Sequence, residues 1–583
     1  MRIRRTFLRC ATGCIAVVLL CYQIPASGSW AAQSAVRGPS KAAAALLAQA
    51  VDLGAVQPST PLTLILDLTN PRIAQESADV ASIYTPGAKQ FGEFLTPSQV
   101  EARYGPAPAA VARLKSLLAA LGLSANWQSG NDWIIVNGNA RHVEAAFGIA
   151  VHWYRSASGS LYYASNDNPV LPASLRPYVS AAGLVASNLE PIAHDVPSGG
   201  LAPADLLQAY DLTPLRAMGL DGAGQTIVFF EIDGYIQTDF NEFTMFNALP
   251  LLQPKLKAGP MLKPDGEAEM DMEVVHEIAP KAKILVYDFN WDAAVKHNDS
   301  MQTIWSQWLA LETRIVKENP GAIVSESIGG CEGEVGVALA YAYKQLYDEA
   351  DALGESVFVS SGDDAAYDCL QDADRGTAPS SDFLTVDFPA SVPSLTAVGG
   401  TRLSVATDKS WLNETVWEDP AETVGSGGGI SAFFSRPSWQ KGPGVQDPRL
   451  NPANMRSVPD VSADADPDSG VAVYGVEGSS SKPAWSQGGG TSQAAPIWAG
   501  MTALIDEYLK HQGLSHPVGF MNPALYTIAS DRAHYPLPSF HDVTMGNNLY
   551  YSATPGYDMA SGLGTPDAYN LARSLATYER GGG

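Results

Sequence analysis

Basic residues are scarce in this chain of 583 residues. There are 36 Lys and Arg against 61 Asp and Glu, which gives a formal net charge of −25 and a pI near 4.7. A nucleic acid duplex repels such a protein, and no long run of Lys or Arg opposes that repulsion. Nucleic acid is therefore excluded as a partner. Two explanations for the acidity stay open: simple solubility, or a working pH low enough to neutralise many of the carboxylates.

Long apolar runs are also missing. Residues 1–9 carry four arginines, residues 10–24 are largely apolar, and small residues follow at 26–29 and at 31–32. This order is typical of a secretory signal peptide, here residues 1–32 with cleavage near Ala32. The apolar part is too short and too interrupted to span a membrane. We expect secretion to the extracellular space or the periplasm without stable membrane insertion, and a lipid anchor on Cys14 or Cys21 is the less favoured alternative.

Cysteines are few, five in all. Removal of the signal peptide takes away Cys10, Cys14 and Cys21 and leaves Cys331 and Cys369. An exported chain with two cysteines can form one disulfide, or it can bury two free thiols. The sequence leaves both possibilities open.

The rest of the chain divides into three parts. Residues 33–185 mix strand and helix patterns, which predicts a small α+β domain. Residues 186–203 are rich in Pro, Gly, Ser and Asn, which predicts an exposed linker suited to processing. In residues 204–583, buried-strand runs alternate with helical patterns. That alternation predicts an α/β domain with a parallel sheet between helices.

A glycine-rich turn gives the strongest chemical signal. It spans residues 486–496 and reads Ser-Gln-Gly-Gly-Gly-Thr-Ser-Gln-Ala-Ala-Pro, with an apolar run directly after it. Glycines let a backbone turn tightly beside a substrate, and Ser492 would stand at the start of a helix, where free N–H groups favour a developing negative charge. Taken alone, the pattern favours an ordinary helix cap for this serine.

Two further patterns carry acidic side chains. Glu267 and Asp271 are four residues apart and share one face of a predicted helix, although Glu269 and Glu273 have the same spacing. Asp363 follows a predicted strand in a Gly-Asp turn, and the carboxyl end of a strand is where active sites form in open α/β sheets. A solvated acidic face and a turn aspartate are the alternative explanations.

The order of these motifs resembles the sedolisin family of serine-carboxyl peptidases, whose catalytic domain is subtilisin-like. The resemblance extends over nearly everything after residue 32, including the activation propeptide. The supporting stretches are Gly266-Glu267-Ala268 before Asp271-Met272-Glu273, Gly427 to Ser431, Pro437 to Gln440, Arg456 to Ser462, Ala465 to Pro467, Phe540 to Thr544, Gly556 to Asp558, Gly562 to Gly564, and Phe94 to Pro97.

The resemblance implies a role for each matching residue. Ser492 would be the nucleophile, Glu267 the general base, Asp271 its partner, and Asp363 the oxyanion donor, acting on protein or peptide substrates. One structural calcium ion would be held by five residues near the C-terminus: Asp542, Val543, Thr554, Gly556 and Asp558. The propeptide would be the protein's own inhibitory partner, and we expect a monomer.

Two departures from the family pattern and two rival functions remain. Ile328 stands where the family often has Trp, and this change would remove a partner of Glu231. Thr554 replaces the first glycine of the calcium loop.

An Asp-His-Ser peptidase would need a catalytic histidine, and His276, five residues after Asp271, is predicted to be a packed helix residue. A non-catalytic binding protein on the same scaffold is the other rival.

Overall fold

The computed structural model describes residues 50–155, 161–165, 169–184, 201–296, 301–369, 384–476 and 482–581. The expected signal peptide, 1–32, and residues 186–200 of the expected linker lie outside these ranges. Pro203, the last residue of the expected linker, begins a helix. Among the described residues, none of the helices combines the length and the apolar character needed to cross a bilayer.

The N-terminal part is a small α+β unit. Strands β3-β4-β2-β7 form one antiparallel sheet and β1-β5-β6 another. Helix α2 begins at Pro97 after Thr96, as its sequence predicts. The elements in chain order are β1 Val51–Ala55, β2 Pro61–Leu68, α1 Ile73–Ile83, α2 Pro97–Tyr104, α3 Pro108–Ala120, β3 Ser124–Asn126, β4 Trp133–Asn139, α4 Ala140–Phe147, β5 His152–Arg155, β6 Leu161–Ala164 and β7 Val179–Leu184.

The remainder is a larger α/β unit. Its elements in chain order are α5 Pro203–Ala209, α6 Thr213–Ala217, β8 Thr226–Glu231, α7 Gln237–Phe246, β9 Lys255–Ala258, α8 Glu267–Ile278, β10 Lys283–Asp288, α9 Trp291–Lys296, α10 Met301–Glu318, β11 Ile323–Glu326, β12 Gly330–Cys331, α11 Glu332–Val335, α12 Val337–Leu353, β13 Ser356–Ser360, β14 Asp387–Phe388, β15 Thr396–Val405, β16 Trp411–Val416, β17 Glu418–Asp419, β18 Val424–Gly425, β19 Gly429–Ser435, β20 Met455–Val458, β21 Val461–Asp464, β22 Ala472–Gly475, β23 Ala484–Gln487, α13 Gly490–His511, α14 Asn522–Ser530, β24 Phe540–His541, β25 Thr565–Pro566 and α15 Ala568–Glu579.

The central sheet of this unit has the order β16-β15-β13-β11-β8-β10-β9, with β21 added beside β15. Its strands are parallel except for β16. Alternate residues of β8 face opposite layers: Ile227 and Phe229 pack towards α8 and α13, while Val228 and Phe230 pack towards α10 and α12. The predicted parallel sheet between helices is confirmed, and the carboxyl ends of β8, β10, β11 and β13 meet at one edge.

Residues 84–95, which we call the docking hook, make part of the contact between the two units, and Lys317 Nζ makes another by donating to Asn131 Oδ1 at 2.8 Å. The Tyr84 hydroxyl donates to the Asp351 carbonyl at 2.7 Å and accepts from Phe520 N at 3.0 Å. Leu95 N donates to the Ala352 carbonyl at 2.9 Å. These contacts lie where α12 ends and β13 is about to begin, so the hook docks at the amino-end edge of the sheet.

Carboxyl groups are buried between the helices as well as at the edge of the sheet. Glu312 of α10 and Glu326 of β11 face each other, and the Tyr347 hydroxyl lies 3.1 Å from Glu312 Oε2 and 2.8 Å from Glu326 Oε2. Burial raises the pKa of Glu326 from 4.5 to about 7 and that of Glu312 well above its ordinary value. The folded chain therefore holds protons that the unfolded chain releases.

This excess of bound protons predicts that stability falls with rising pH. When the folded-state pKa exceeds the unfolded one, the free energy of unfolding decreases between the two values, by about 1.4 kcal/mol per unit of pKa difference. For Glu326 that window runs from 4.5 to about 7. The substitution Glu326→Gln should flatten the fall in melting temperature across this window, measured by calorimetry at a series of pH values.

A matched control is Glu422→Gln, because Glu422 is exposed. It should leave the pH dependence of the melting temperature as in the parent. Equal slopes for the parent, Glu326→Gln and Glu422→Gln would contradict the prediction.

Candidate active site

The catalytic acids predicted from sequence lie on α8. Glu267 is the first residue of this helix, and Asp271 follows one turn later with its side chain fully buried. Gly266 precedes it with φ of 110°, a conformation that glycine adopts without strain. The two carboxyls therefore share one face at the start of a buried helix.

The second acidic pair of α8 has a different environment. Glu269 accepts hydrogen bonds from Ile236 N at 2.9 Å and Val476 N at 3.1 Å, and Glu273 accepts one from Tyr474 N at 2.8 Å. Both residues bind backbone that flanks the helix, including β22 and the residue just after it. This pair is tied to neighbouring backbone, whereas Asp271 is connected to the serine turn through Ser327.

Ser327 connects Asp271 to the serine turn. Its hydroxyl lies 2.6 Å from Asp271 Oδ2 and 3.2 Å from the Ser492 carbonyl. In return, the Ser492 hydroxyl donates to the Ser327 carbonyl at 3.4 Å. Ser492 is the third residue of α13, in the first turn of a 22-residue helix, as the glycine-rich pattern predicts. Two elements far apart in sequence thus meet at one serine.

The pKa of Asp271 is raised well above its ordinary value. Burial is the main cause, and the neighbouring charges of Glu267 and Asp233 add to it, while the hydrogen bond from Ser327 opposes it. A carboxyl in this setting holds its proton far more firmly than one in water. The carboxyl of Asp271 is therefore protonated over a wider range of pH than a carboxyl in water.

Two more carboxyls stand behind this pair at the ends of β8 and β10. Burial raises the pKa of Glu231 well above its ordinary value, with Asp271 the largest neighbouring charge, and it raises that of Asp288 to about 8. Neither side chain has a hydrogen-bond partner among the described residues. Ile328, at the position where the family often has Trp, is buried and offers no polar atom to Glu231.

Asp363 packs against the serine turn from the carboxyl end of β13. Its Oδ1 accepts hydrogen bonds from Thr491 N and Thr491 Oγ1, each at 2.8 Å. A Cβ on Gly490 would come within 2.6 Å of Asp363 Oδ2, so only glycine fits there. Gly362 N also donates to Thr491 Oγ1 at 3.2 Å. The Gly-Asp turn and the serine turn therefore meet, as the sequence leads one to expect.

The expected calcium residues lie together in two loops. Gly556 N lies 3.1 Å from each Asp542 carboxylate oxygen, and Thr554 N donates to Asp558 Oδ2 at 2.8 Å. Among the described residues, no backbone N–H donates to the carbonyls of Val543, Thr554 or Gly556. Two carboxylates with three available carbonyls are hard oxygen donors that fit Ca²⁺. No group of three or more His, Cys, Asp or Glu side chains suited to a metal occurs in the described ranges, so a cation here would depend on carbonyls and water.

Cys331 and Cys369 form a disulfide, with their Cα atoms 4.8 Å apart. The structure thereby decides between the two possibilities that the sequence left open. Cys331 lies on β12, which pairs with β14, and Cys369 follows the Asp363 turn by six residues. The bond ties this turn to the strand that leaves the Ser327 segment.

Sequence reasoning did not identify Ser327 as a site residue. Its only signal is position, because it directly follows the buried strand β11 at the edge where Asp363 also lies. Asp233, two residues after Glu231, was missed in the same way. Both residues make their contacts across long stretches of sequence, which no local pattern reports.

Comparisons with known proteins agree with this geometry. The pro-kumamolisin activation domain family matches residues 48–185, and the subtilase family matches residues 261–524. Kumamolisin from Bacillus sp. (strain MN-32) is 32% identical over 479 residues, 76% of this chain and 78% of that protein. Sedolisin from Pseudomonas sp. (strain 101) is 28% identical over 525 residues, 84% of this chain and 83% of that protein.

A solved structure of Pseudomonas sedolisin, a serine-carboxyl proteinase complexed with two molecules of pseudo-iodotyrostatin, superimposes with a TM-score of 0.54 at 26% identity, over 65% of this chain and 98% of that one. Fold and relatives together define a serine-carboxyl peptidase, the class that uses a Ser-Glu-Asp triad. The chain belongs to the sedolisin family and carries an activation domain of the pro-kumamolisin type.

The contact made by Ser327 generates a prediction. Ser327→Ala should lower kcat by about 10- to 100-fold, the usual worth of a hydrogen bond to a charged group. It should also move the acid limb of kcat/KM to higher pH, because the lost bond favours the ionised form of Asp271. The measurement is a pH–rate profile on a chromogenic peptide.

Ser325→Ala is the matched control, since Ser325 is buried two residues away and its hydroxyl has no partner among the described residues. It should keep the parent profile. Superimposable profiles for the two variants would rule out a specific role for Ser327.

Proposed function

We propose that this chain is a secreted, acid-active peptidase that hydrolyses peptide bonds of protein or peptide substrates through an acyl-enzyme. Ser492 attacks the scissile carbonyl, and Glu267 takes the serine proton and returns it to the leaving amine, with Asp271 orienting Glu267 and sharing its proton. The observation that carries the proposal is the Ser327 contact that joins Asp271 to Ser492.

The contacts of Asp363 with the serine turn support a role as the oxyanion donor, because its Oδ1 accepts from both Thr491 N and Thr491 Oγ1. A neutral carboxyl can stabilise a developing oxyanion by donating a hydrogen bond, whereas an ionised one repels it. This role requires acid.

A glutamate acting as general base favours a working pH in the acid range. A histidine with a pKa of about 6.5 is protonated at about pH 4 and cannot accept a proton, whereas a glutamate with a pKa near 4.3 can exchange one there. His276, the candidate base of an Asp-His-Ser mechanism, is buried with its Nε2 2.6 Å from the Pro250 carbonyl. That packing supports the carboxylate mechanism over the histidine one.

Residues 33–185 act in this proposal as an inhibitory propeptide, and a cut within residues 186–203 releases the mature peptidase of residues 204–583. The docking hook supports the inhibitory partnership, because Tyr84 and Leu95 bond directly to the end of α12. Residues 1–32 direct export to the extracellular space or periplasm, and the peptidase works as a monomer.

We further propose that one structural calcium ion lies between Asp542 and Asp558, with carbonyls of Val543, Thr554 and Gly556. When bound, the ion would supply a positive charge that offsets the repulsion between the two carboxylates. Burial raises the pKa of Asp558 to about 6, so a cation would also have to displace a proton there when the medium is acid. The ion would stabilise the loops that adjoin β24.

Maturation offers a direct test of the function. The purified proform should cut itself between about residues 186 and 203 when brought to about pH 4, and then hydrolyse a peptide library. Ser492→Ala should remain full-length and inactive because it lacks the nucleophile. The readouts are the new N-terminus and the cleaved bonds by mass spectrometry. Normal processing of the pure Ser492→Ala chain would contradict autocatalysis, and peptide hydrolysis by that chain would contradict the assigned nucleophile.

Asp363 tests the mechanism. Loss of one oxyanion donor lowers kcat by about 10²–10³, so Asp363→Ala should fall by that factor while the melting temperature stays near the parent value. Asp363→Asn donates at every pH, so its residual activity should decline less steeply than the parent above about pH 5. The comparison is kcat/KM against pH for all three proteins. Parent activity in Asp363→Ala would remove this residue from the mechanism.

A further inference from the structure

The catalytic helix α8 has no capping side chain of its own. Its N-cap residue is Gly266, and no side chain at that position accepts from the first turn. The first N–H groups of a helix have no partner within it, and a side-chain oxygen usually supplies one. In this protein the partner comes from another element, the segment that follows β8.

Asp233 supplies that cap. Its Oδ1 accepts from Ala268 N at 2.9 Å, and its Oδ2 accepts from Asp265 N at 2.8 Å. The two donors lie on either side of Gly266, so one carboxyl binds the backbone both before and after this turn. Asp233 is itself buried, with only 8% of its surface exposed. The carboxyl is therefore held in place at the N-terminus of the catalytic helix.

The segment that carries Asp233 is anchored on both sides. Asp233 stands two residues after Glu231, the last residue of the central strand β8. Gly234 N donates to the Lys263 carbonyl at 2.9 Å, and a Cβ on Gly234 would come within 2.1 Å of the Leu262 carbonyl oxygen. The segment after β8 is thus in close contact with residues 262–263. A shift of Asp233 would therefore also displace the start of α8.

The charges that face Asp233 are all acidic. The charge of Asp265 raises the pKa of Asp233. The charge of Asp233 in turn raises the pKa of four other buried carboxyls: Glu231, Asp271, Glu269 and Asp288. Burial raises the pKa of Asp233 to about 7, against the hydrogen bonds that lower it. In acid the group is neutral and presents one carbonyl and one hydroxyl oxygen, which makes asparagine its nearest mimic.

We propose that Asp233 is a positioning residue that fixes the first turn of α8 and thereby sets the place of the Glu267 carboxyl relative to Ser492. The inference rests on the proposed role of Glu267 as the base. Glu267 and Ala268 are the first two residues of the helix, so loss of the cap moves the base before it moves any other part of the chain. A misplacement of about 1 Å can lower a rate by about 10².

The test compares Asp233→Ala and Asp233→Asn in the mature enzyme at about pH 4. Asp233→Ala removes both acceptors, so kcat should fall by about 10²-fold while KM changes less than about twofold, because the base takes no part in ground-state binding. Asp233→Asn keeps an acceptor for Ala268 N but loses the one for Asp265 N, so kcat should recover only in part, to about tenfold below the parent.

Asp567 provides the matched control. It caps α15 and accepts from Asn570 N at 3.0 Å, in a helix that carries none of the proposed catalytic residues. Asp567→Ala should lower the melting temperature and Asp567→Asn should keep it, because asparagine caps a helix as well as aspartate does, and neither variant should change kcat. If Asp233→Ala does not fold, Asp233→Asn decides alone: its kcat must fall measurably at constant KM, whereas that of Asp567→Asn must not.

Parent kcat in Asp233→Ala, or in Asp233→Asn where the alanine variant does not fold, would overturn the proposal. So would equal losses in Asp233→Ala and Asp233→Asn accompanied by a raised KM, which indicate general distortion. Glu267→Gln separates this outcome from failure of the proposed function. If Glu267→Gln retains parent activity, the base is wrongly assigned; if it is inactive while Asp233→Ala is unimpaired, only the positioning role fails.

Discussion

A carboxyl group removed from water holds its proton more tightly, and this chain buries such groups at the ends of its central strands, between its helices and beside its serine turn. Glu231, Asp271 and Glu326 all owe their raised pKa primarily to desolvation. The desolvation that raises the pKa of Glu326 between the helices also raises that of Asp271 beside the serine turn. The pH dependence of stability and the protonation of the candidate site thus have one physical cause.

The parallel sheet makes this arrangement possible. Its strands deliver Glu231, Asp288, Ser327 and Asp363 to a single edge, each at or just beyond a carboxyl end. Helices α8 and α13 then present their first turns to the same edge, where N–H groups and positive helix ends favour negative charge. Rigid elements, not loops, therefore orient most of the groups that meet there.

Local sequence patterns predict much of the fold and part of the candidate site. The alternation of buried strands with helices and the helical start at Ser492 both follow from local patterns, because hydrophobic periodicity and glycine-rich turns are local signals. The cap of helix α8 is different, because it comes from Asp233, 35 residues from Ala268. Ser327 meets Ser492 across 165 residues. Such contacts depend on how strands are ordered in the sheet, which hydrophobic periodicity does not encode.

The docking hook has a consequence for when activity would appear. It holds the N-terminal unit at the amino-end edge of the sheet, through Tyr84 and Leu95, whereas the proposed chemistry takes place at the carboxyl-end edge. Cutting the connecting chain leaves those bonds intact, so cleavage alone would not separate the two pieces. Once they are no longer covalently linked, their reassociation becomes concentration-dependent. The concentration of the two pieces would then set how much of the larger unit remains bound to the N-terminal one.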